Sequence, residues 1–230
     1  MSDDTKLRNF LTTHANEERN ALSTHISVSN FGRYIINSSE LEEFNKLYST
    51  ATENTIDIAE VVPNEAPIVI DFSFSFKNES DIKHNANITK IVSRFTSILA
   101  DMFGDDKNYT CVVTKRRKPY RLKNILHDGV HLQFPYIVCE KQHLVLLRQN
   151  FIADCDIDFG KENELEQIYD KMTPTWYMYL SSKPNREPYK IIKIYNNEDL
   201  QRKYQYMNLY EIIDMMSVRN KSHLLIHPIQ

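Results

Sequence analysis

The sequence predicts an α+β fold in which helices pack on a mixed or antiparallel sheet. Residues 68–76 alternate strictly between apolar and polar side chains, which is typical of a strand with one buried face. Residues 88–103 place apolar side chains at i, i+3, i+4 and i+7, which is typical of an amphipathic helix. Further strand-like segments interleave with helices, and this order favours helices packed on a sheet.

The composition is that of an ordinary globular protein, with 41% hydrophobic and 26% charged residues in 230. The net charge of −3 does not itself indicate a nucleic-acid-binding protein, so a basic surface would have to come from local clustering. The 3 cysteines form no CxxC pair, which favours a reducing compartment and argues against a zinc ribbon. The acidic start and the lack of a long apolar run predict an intracellular protein.

Glycine is scarce, with 4 residues in the chain, and this limits how a nucleotide could be bound. Neither GxxxxGK(S/T) nor GxGxxG occurs. If the chain binds a nucleotide, side chains rather than a glycine-rich phosphate loop must hold it.

The first half of the chain starts with a charged, helix-compatible segment over residues 1–20. Residues 39–42 are a capping-box pattern that predicts a short helix to about Tyr48. Residues 51–66 are polar and predict a loop. The strand at 68–76 turns its isoleucine and phenylalanine side chains to one face and Asp71, Ser73 and Ser75 to the other. The helix at 88–103 ends at Gly104, which predicts a glycine C-cap.

The second half of the chain continues the alternation of strands and helices. We predict strands at 109–114 and 130–138, a helix at 141–152, two strands at 176–180 and 189–195 around a turn at 183–186, and a helix at 209–216.

Asp71 emerges from an apolar strand, on the face opposite the phenylalanines. A carboxylate in this place needs a partner, because an unpaired buried charge is costly. Two interpretations stay open. Asp71 is either a structural residue that accepts backbone hydrogen bonds or a metal ligand, since residues 71 and 73 of a strand point the same way.

His131 lies on a predicted strand that follows the turn at Asp128 and Gly129. It faces away from Val130 and Leu132. A lone strand histidine is more often structural, but a neighbouring glycine permits a ligand to approach the backbone closely. Both interpretations stay open for His131.

The segment from Lys107 to Leu126 contains no acidic residue, and Tyr120 is interleaved among its basic residues. This asymmetry predicts a contact surface for phosphates, and a solvated loop between two strands is the alternative. The basic residues are Lys107, Lys115, Arg116, Arg117, Lys118, Arg121 and Lys123.

Two weaker signals lie nearer the C-terminus. The aromatic run at 176–179 predicts either core residues or a surface on which rings stack. Lys183, which lies between two serines and Arg186, has the chemistry to hold phosphates. The aspartates at 154, 156 and 158 alternate like the start of a calcium loop, but Phe159 and Leu165 stand where that loop needs Gly and Glu. We therefore predict a solvated acidic turn.

Taken in order, these segments resemble the archaeo-eukaryotic primase superfamily, and more narrowly the N-terminal primase domain of the poxvirus-type primase-helicases of large DNA viruses. The likeness starts near residues 24–25 and 32–36 and covers most of the chain. Residues 67–73 match the strand with the Asp-x-Asp metal motif, and residues 128–135 are similar to the Asp-Gly-hydrophobic-His segment. Asp170 aligns with the third metal carboxylate, and residues 179–184 with 187–189 resemble the Tyr-Gly-Ser-Lys-type segment.

The resemblance implies a fold and an activity. The expected fold is an RNA-recognition-motif-like sheet and an N-terminal α/β unit with the active site between them. The expected activity is that of a DNA primase, a nucleotidyltransferase that makes primers on a template from nucleoside triphosphates by two-metal catalysis with Mg²⁺ or Mn²⁺. Residues 1–230 would form one primase catalytic domain, either excised from a longer primase-helicase or standing alone.

The resemblance also implies roles for residues and partners. The catalytic residues would be Asp71, Ser73 and Asp170, and Asp71 and Asp170 would be the metal ligands. The nucleotide would be bound by His131, Ser181, Ser182 and Lys183, and the nucleic acid by Lys115, Arg116, Arg117, Lys118, Arg121 and Lys123. The expected partners are a single-stranded DNA template, nucleoside triphosphates and a helicase domain or replication partner, with no membrane. The expected location is the replication site in the host cytoplasm, or the nucleus.

Two positions depart from the family pattern. Ser73 stands where the second carboxylate is expected, and Leu180 where a glycine is usual. A serine hydroxyl is a poorer ligand for a hard dication than a carboxylate, so this departure predicts weakened primer synthesis. The alternative function is a non-catalytic module that binds single-stranded nucleic acid and nucleotides on the same scaffold.

Overall fold

A computed structural model describes residues 2–16, 18, 22–29, 31–51, 57–79, 82, 84–160, 162–170, 173–183 and 186–229. Its α-helices are α1 (Asp3–Thr13), α2 (Leu41–Thr50), α3 (His84–Phe103), α4 (Lys141–Ala153), α5 (Leu165–Ile168), α6 (Glu198–Lys203) and α7 (Leu209–Met216). Its strands are β1 (His25–Ser27), β2 (Arg33–Tyr34), β3 (Ile58–Val61), β4 (Glu65–Phe76), β5 (Cys111–Lys115), β6 (Tyr120–Leu122), β7 (Ile125–Glu140), β8 (Thr175–Tyr177) and β9 (Lys190–Tyr195).

The strands form two sheets. The smaller sheet has the order β2-β1-β3-β8, and the larger one has the order β4-β7-β5-β9, with β6 paired to β7. The strand pairs within both sheets are antiparallel. The predicted α+β class is therefore confirmed, with antiparallel sheets.

The main core lies between the larger sheet and the helices α3 and α4. The isoleucines and phenylalanines at alternate positions of β4 are at most 1% exposed, as the alternation predicts. Phe95 of α3 and Phe151 of α4 stack above Phe72, with the Phe95 and Phe151 ring centroids 4.0 Å apart. The opposite face of this sheet carries the polar residues of β4 and His131 beside buried apolar residues such as Val69 and Val112, and we call it the open face.

The smaller sheet has its own core and also contacts the larger sheet. Leu7 of α1, Phe44 of α2 and Ile213 of α7 pack together against it. Trp176 of β8 packs against Val69 of β4, so the two sheets meet beside the open face. Helix α7 covers part of that face through Met215 and Met216.

The prediction of a loop over residues 51–66 is wrong at 58–61 and 65–66, and its residues 52–56 lie outside the described part of the chain. Residues 58–61 form β3, and β4 already begins at Glu65. The misleading residue is Glu60, which is fully buried because its carboxyl accepts hydrogen bonds from the Ser217 hydroxyl at 2.6 Å and the Val218 N–H at 2.9 Å. Burial raises the pKa of Glu60, and burial lowers the pKa of His25, on the opposite strand, to about 3.

Two other local predictions need correction. Helix α2 is present, but its N-cap is Glu40 and no side chain caps it; the Glu40 carboxylate instead accepts hydrogen bonds from the backbone and side chain of Asn37. The two strands predicted around the turn at 183–186 do not belong together. Strand β8 pairs with β3 in the smaller sheet, and β9 pairs with β5 in the larger one.

The remaining predicted helices at 88–103, 141–152 and 209–216 correspond to α3, α4 and α7. Among the described residues, no helix has the length and apolar character needed to cross a bilayer.

Candidate functional site

A carboxyl and an imidazole face each other on the open face, close to where the two sheets meet. Asp71 of β4 lies directly opposite His131 of β7, and Oδ1 of Asp71 is 3.4 Å from Nε2 of His131. This contact lacks the geometry of a hydrogen bond. Oδ1 of Asp71 is buried and has no hydrogen-bond partner among the described residues, so it can accept a ligand.

The surroundings of Asp71 disfavour its charge. Its side chain is 26% exposed, and burial raises the pKa of the carboxyl to about 6, against an ordinary value of 3.8. The positive charges of Arg116 and Lys183 oppose this shift. A bound cation would favour the ionised carboxylate further, so cation binding and proton release are coupled at this residue.

His131 is held in a stack of rings. The Tyr189 ring lies parallel to it at 3.6 Å between centroids, and the Trp176 ring lies at 4.6 Å. Burial, assisted by the charge of Arg116, lowers the pKa of His131 to about 3, so the imidazole is neutral. With its faces covered, the ring has only an edge to offer a ligand, and that edge points toward Asp71.

The backbone of Asp170 lies beside the backbone of Asp71 at the edge of the larger sheet. Tyr169 forms a bridge with Phe72, and the Asp170 N–H donates to the Asp71 carbonyl at 3.1 Å. The exposed Asp170 side chain lines a cavity at this edge together with Val69 of β4 and Arg148 of α4. The backbones of Asp71 and Asp170 are therefore adjacent, but their side chains do not converge with His131 into one group that could hold a metal ion.

Ser73 lies one step further along the same face of β4, opposite Gly129. It is exposed. Within the described part of the chain, no group of three or more His, Cys, Asp or Glu side chains could hold a metal ion. In the described part of the chain, Asp71 and the exposed Ser73 thus share the open face without a third carboxyl or imidazole that would complete a metal site with Asp71 and His131.

Gly129 is required because Tyr189 approaches it closely. A Cβ atom at Gly129 would clash with the Tyr189 hydroxyl and lie 3.4 Å from the Phe72 carbonyl oxygen. The sequence singled out Gly129 as a place of close approach to a ligand, but in this structure the neighbour is an aromatic ring of the same chain. Tyr189 lies in the segment 187–189, which resembles the family, but no pattern in the sequence predicts that its ring lies above Gly129.

The predicted nucleic-acid-binding residues separate into three groups. Lys115 pairs with the buried Asp128 at 2.6 Å and is turned inward. Arg116 lies over the Tyr189 ring at 4.2 Å and donates to the Glu187 carbonyl at 3.2 Å, so it belongs to the site. The exposed group consists of Arg117, Lys118, Arg121 and Lys123.

The predicted nucleotide-binding segment is only partly directed at the site. Ser181 is 1% exposed, and the Ser182 hydroxyl donates to the Arg186 carbonyl at 2.9 Å. Lys183 is exposed, and its charge acts on Asp71. Leu180 has φ of 68°, in the left-handed region that favours glycine, and it is the position where the family pattern has a glycine.

Comparison with known proteins shows the family of this chain. The family model described as "C962R protein N-terminal AEP domain" matches residues 24–195, where AEP stands for archaeo-eukaryotic primase. Because the match covers more than half of the chain, the chain belongs to this family.

The curated relatives are proteins of large DNA viruses. "Putative helicase 121R" of Invertebrate iridescent virus 3 is 26% identical over 218 residues, which are 83% of this chain and 22% of that protein. "Putative helicase L207/L206" of Acanthamoeba polyphaga mimivirus is 26% identical over 175 residues, which are 70% of this chain and 18% of that protein. The chain spans about a fifth of the length of these relatives.

The close approach of Tyr189 predicts a coupling that can be measured. We expect Gly129→Ala to lower the free energy of unfolding by about 1–3 kcal/mol, because the added methyl overpacks the site. In a Tyr189→Phe background the clashing oxygen is gone, so the same substitution should be less destabilising by about 1 kcal/mol or more. Urea unfolding of the four proteins measures this coupling, and additive effects would show that Gly129 and Tyr189 are not in contact.

The raised pKa of Asp71 predicts how stability depends on pH. The folded-state value of about 6 is above the ordinary 3.8, so this group's contribution is fully present below pH 3.8 and is lost as pH rises through about 6. Asp71→Asn should remove that loss and be more stable than the unsubstituted protein at pH 7 by roughly 1–3 kcal/mol.

The measurement is unfolding free energy between pH 4 and 8. Buried His25, whose pKa is shifted in the opposite direction, remains in each protein far from Asp71 and cancels in the difference. His131 contacts Asp71, but the lowered pKa of His131, about 3, lies below the measured pH range. Asp170→Asn, which makes the same substitution at an exposed position beside Asp71, is measured as the matched variant. Equal pH profiles for Asp71→Asn and the unsubstituted protein would show that Asp71 is not desolvated.

Proposed function

We propose that this chain is the DNA primase domain of a viral replication protein and makes primers from nucleoside triphosphates on a single-stranded DNA template. The observation that carries the proposal is the placement of Asp71 opposite His131 on the open face, near the charges of Arg116 and Lys183, with the Asp170 N–H bonded to the Asp71 carbonyl. Membership of the primase family supports the reaction class.

The proposal extends to the architecture and the partners. The larger sheet would be the RNA-recognition-motif-like sheet, and the smaller sheet with α1 and α2 would be the N-terminal unit. Helicase names among the viral relatives support a helicase domain as the partner, acting at a replication site in the host cell.

The carboxyl groups fit a divalent cation. Asp71 presents a buried oxygen without a hydrogen-bond partner in the described residues, and Asp170 lies opposite it, so Mg²⁺ or Mn²⁺ would find the oxygen ligands that such ions prefer. Bound there, the cation would activate the primer 3′-hydroxyl and stabilise charge on the leaving pyrophosphate. Arg116 and Lys183 help by holding Asp71 in its ionised form.

The nucleotide would be bound by side chains beside the carboxyls. A neutral His131 can donate one hydrogen bond from its edge without adding charge, and the exposed Lys183 supplies the positive charge for the triphosphate. Ser181 is buried, and the Ser182 hydroxyl donates to the Arg186 carbonyl, so both would shape the segment that presents Lys183.

The DNA would be bound by the exposed cations of the β6 region. Arg117, Lys118, Arg121 and Lys123 are free to contact phosphates, whereas Lys115 would act indirectly by fixing Asp128 and the adjacent Gly129. Phosphate contacts release counterions, so binding through them should weaken as salt rises.

A second function has its own supporting observation. Among the described residues no three His, Cys, Asp or Glu side chains converge to hold a metal ion, and Ser73 stands where the family pattern has a carboxylate. A non-catalytic module that binds nucleotides and single-stranded nucleic acid would have such a site. Primer extension with labelled nucleotide and Mn²⁺ separates the two functions. We expect little primer from the chain with Ser73, although it should still bind nucleotide.

Restoring the carboxylate tests the metal site directly. Ser73→Asp should tighten Mn²⁺ binding by about tenfold or more, because a carboxylate adds charge and lone pairs next to Asp71. Primer synthesis should rise by a similar or larger factor. Titration calorimetry with Mn²⁺ and primer extension measure the two effects.

Ser75→Asp is the matched control, since it adds the same charge on the same face of β4 but beside His127 and further from Asp170. It should raise neither quantity. If Ser73→Asp folds normally and changes neither Mn²⁺ affinity nor extension, then residues 71, 73 and 170 do not form one metal site.

His131 can be tested without removing its ring from the stack. His131→Phe keeps an aromatic ring between Tyr189 and Trp176 but removes the ring nitrogens. We expect nucleotide affinity to fall about tenfold while overpacking by the larger ring lowers the free energy of unfolding by about 1–3 kcal/mol, which leaves the protein folded. Unchanged affinity in a folded variant would assign His131 a purely structural role. His131→Ala is less useful because it leaves a cavity in the stack.

A further inference from the structure

The larger sheet carries a hairpin with an apolar tip. Strand β6 and the start of β7 are joined by Lys123 and Asn124, whose φ angles of 47° and 65° are those of a tight type I′ turn. Leu122 lies directly opposite Ile125 on the two sides of this turn. The Arg121 guanidinium donates to the Asn124 carbonyl at 3.0 Å, which stiffens the turn.

The hairpin tip belongs to the same face as the candidate site. Ile125, His127, Gly129 and His131 occupy alternate positions of β7, so they share the open face. Tyr120 is paired with His127 and lies behind the tip, with the Arg186 guanidinium over its ring at 3.5 Å. The tip is therefore the outer end of a row that leads to Asp71 and His131.

The tip combines exposed apolar surface with positive charge. Leu122 is 50% and Ile125 43% exposed, and their pairing makes one continuous patch rather than two scattered side chains. The neighbouring exposed side chains are basic: Arg117, Lys118, Arg121 and Lys123. Nucleic acid matches both features, because its phosphates complement the cations and its bases offer apolar faces.

We propose that Leu122 and Ile125 insert between bases of nucleic acid bound along the open face. Apolar side chains used in this way separate stacked bases, and the surrounding cations hold the backbone. From residue 125 to residue 131 the strand extends about 20 Å at roughly 3.3 Å per residue. With about 3.4 Å per base step, insertion falls about six steps from the nucleotide at Asp71. The position of insertion rests on the proposed function, whereas insertion itself requires only nucleic-acid binding on this face.

The experiment compares three double variants with the unsubstituted chain. Leu122→Thr with Ile125→Thr removes the apolar tip and keeps β-forming residues. Val145→Ala with Leu146→Ala is the matched control, because these side chains are 49% and 44% exposed on α4, which packs on the opposite face of the sheet. Arg117→Ala with Lys118→Ala removes phosphate contacts instead.

The probe is a primer–template DNA carrying 2-aminopurine at successive template positions, whose fluorescence rises when it is unstacked. We expect a maximum about six steps from the primer 3′ end in the unsubstituted chain and in the Val145 and Leu146 control. The threonine variant should lose this maximum and bind about five- to tenfold more weakly, with the same salt dependence. The Arg117 and Lys118 variant should keep the maximum at low salt, while its salt slope falls by about two units.

The possible failures are distinguishable. A threonine variant that keeps the fluorescence maximum would overturn insertion and leave the DNA-binding role standing. A threonine variant that also loses its salt slope has lost the phosphate contacts, and this too would count against a specific role for the tip. A maximum at another distance would support insertion but contradict the placement of the primer end at Asp71. No salt-dependent binding by the unsubstituted chain would overturn both proposals.

Discussion

Strands β4 and β7 pair in one register from Ile68 opposite Phe134 to Phe76 opposite Leu126, and both faces of the larger sheet depend on it. In this register the phenylalanines of β4 meet α3 and α4, while Asp71 meets His131 on the open face. A slip of one residue would exchange the faces. It would bury a carboxyl in an aromatic core and expose the phenylalanines to water. Each exposed phenylalanine would cost about 2–3 kcal/mol of folding free energy. The packing of the core therefore determines which residues meet at the site.

At the site that this register creates, the charged forms of Asp71 and His131 are unfavourable without a bound cation. Burial raises the pKa of Asp71 to about 6 and lowers the pKa of His131 to about 3, so both side chains are pushed toward their neutral forms. The charges of Arg116 and Lys183 act against this tendency at Asp71, but Arg116 strengthens it at His131. A divalent cation would favour the ionised Asp71 and would not require a charged His131. A neutral imidazole beside a carboxylate is thus compatible with cation binding, whereas an imidazolium would compete with it.

The sequence predicts those parts of the fold that rest on local periodicity. The alternation of β4 and the apolar stripe of α3 are long enough to be recognised, and α7 has the predicted limits. The strands β1, β2 and β3 are too short for a periodic pattern, and Glu60 is buried only because Ser217 and Val218, far along the chain, satisfy its carboxyl. Within the site, alternation predicts the face of Asp71 and His131. It cannot predict that Tyr189 covers Gly129 or that Lys115 turns inward to Asp128, because these contacts depend on how distant strands pair.

The surroundings of the site also limit the direction from which a ligand can enter. On the side of the smaller sheet, the Trp176 indole N–H donates to the Gln133 side chain at 3.0 Å, and Gln133 donates to the Met216 carbonyl at 2.9 Å. These groups are buried, so opening this side would leave polar atoms without partners. Above Gly129, Tyr189 already fills the space against the sheet. The exposed Ser73 side chain lies instead on the part of β4 that runs toward Phe76, at the same end of the sheet as the β6 hairpin, from which β7 separates it. A ligand approaching from this end of the sheet would pass the exposed cations of the β6 hairpin before it reaches Asp71, so electrostatic attraction and the shape of the site favour the same path.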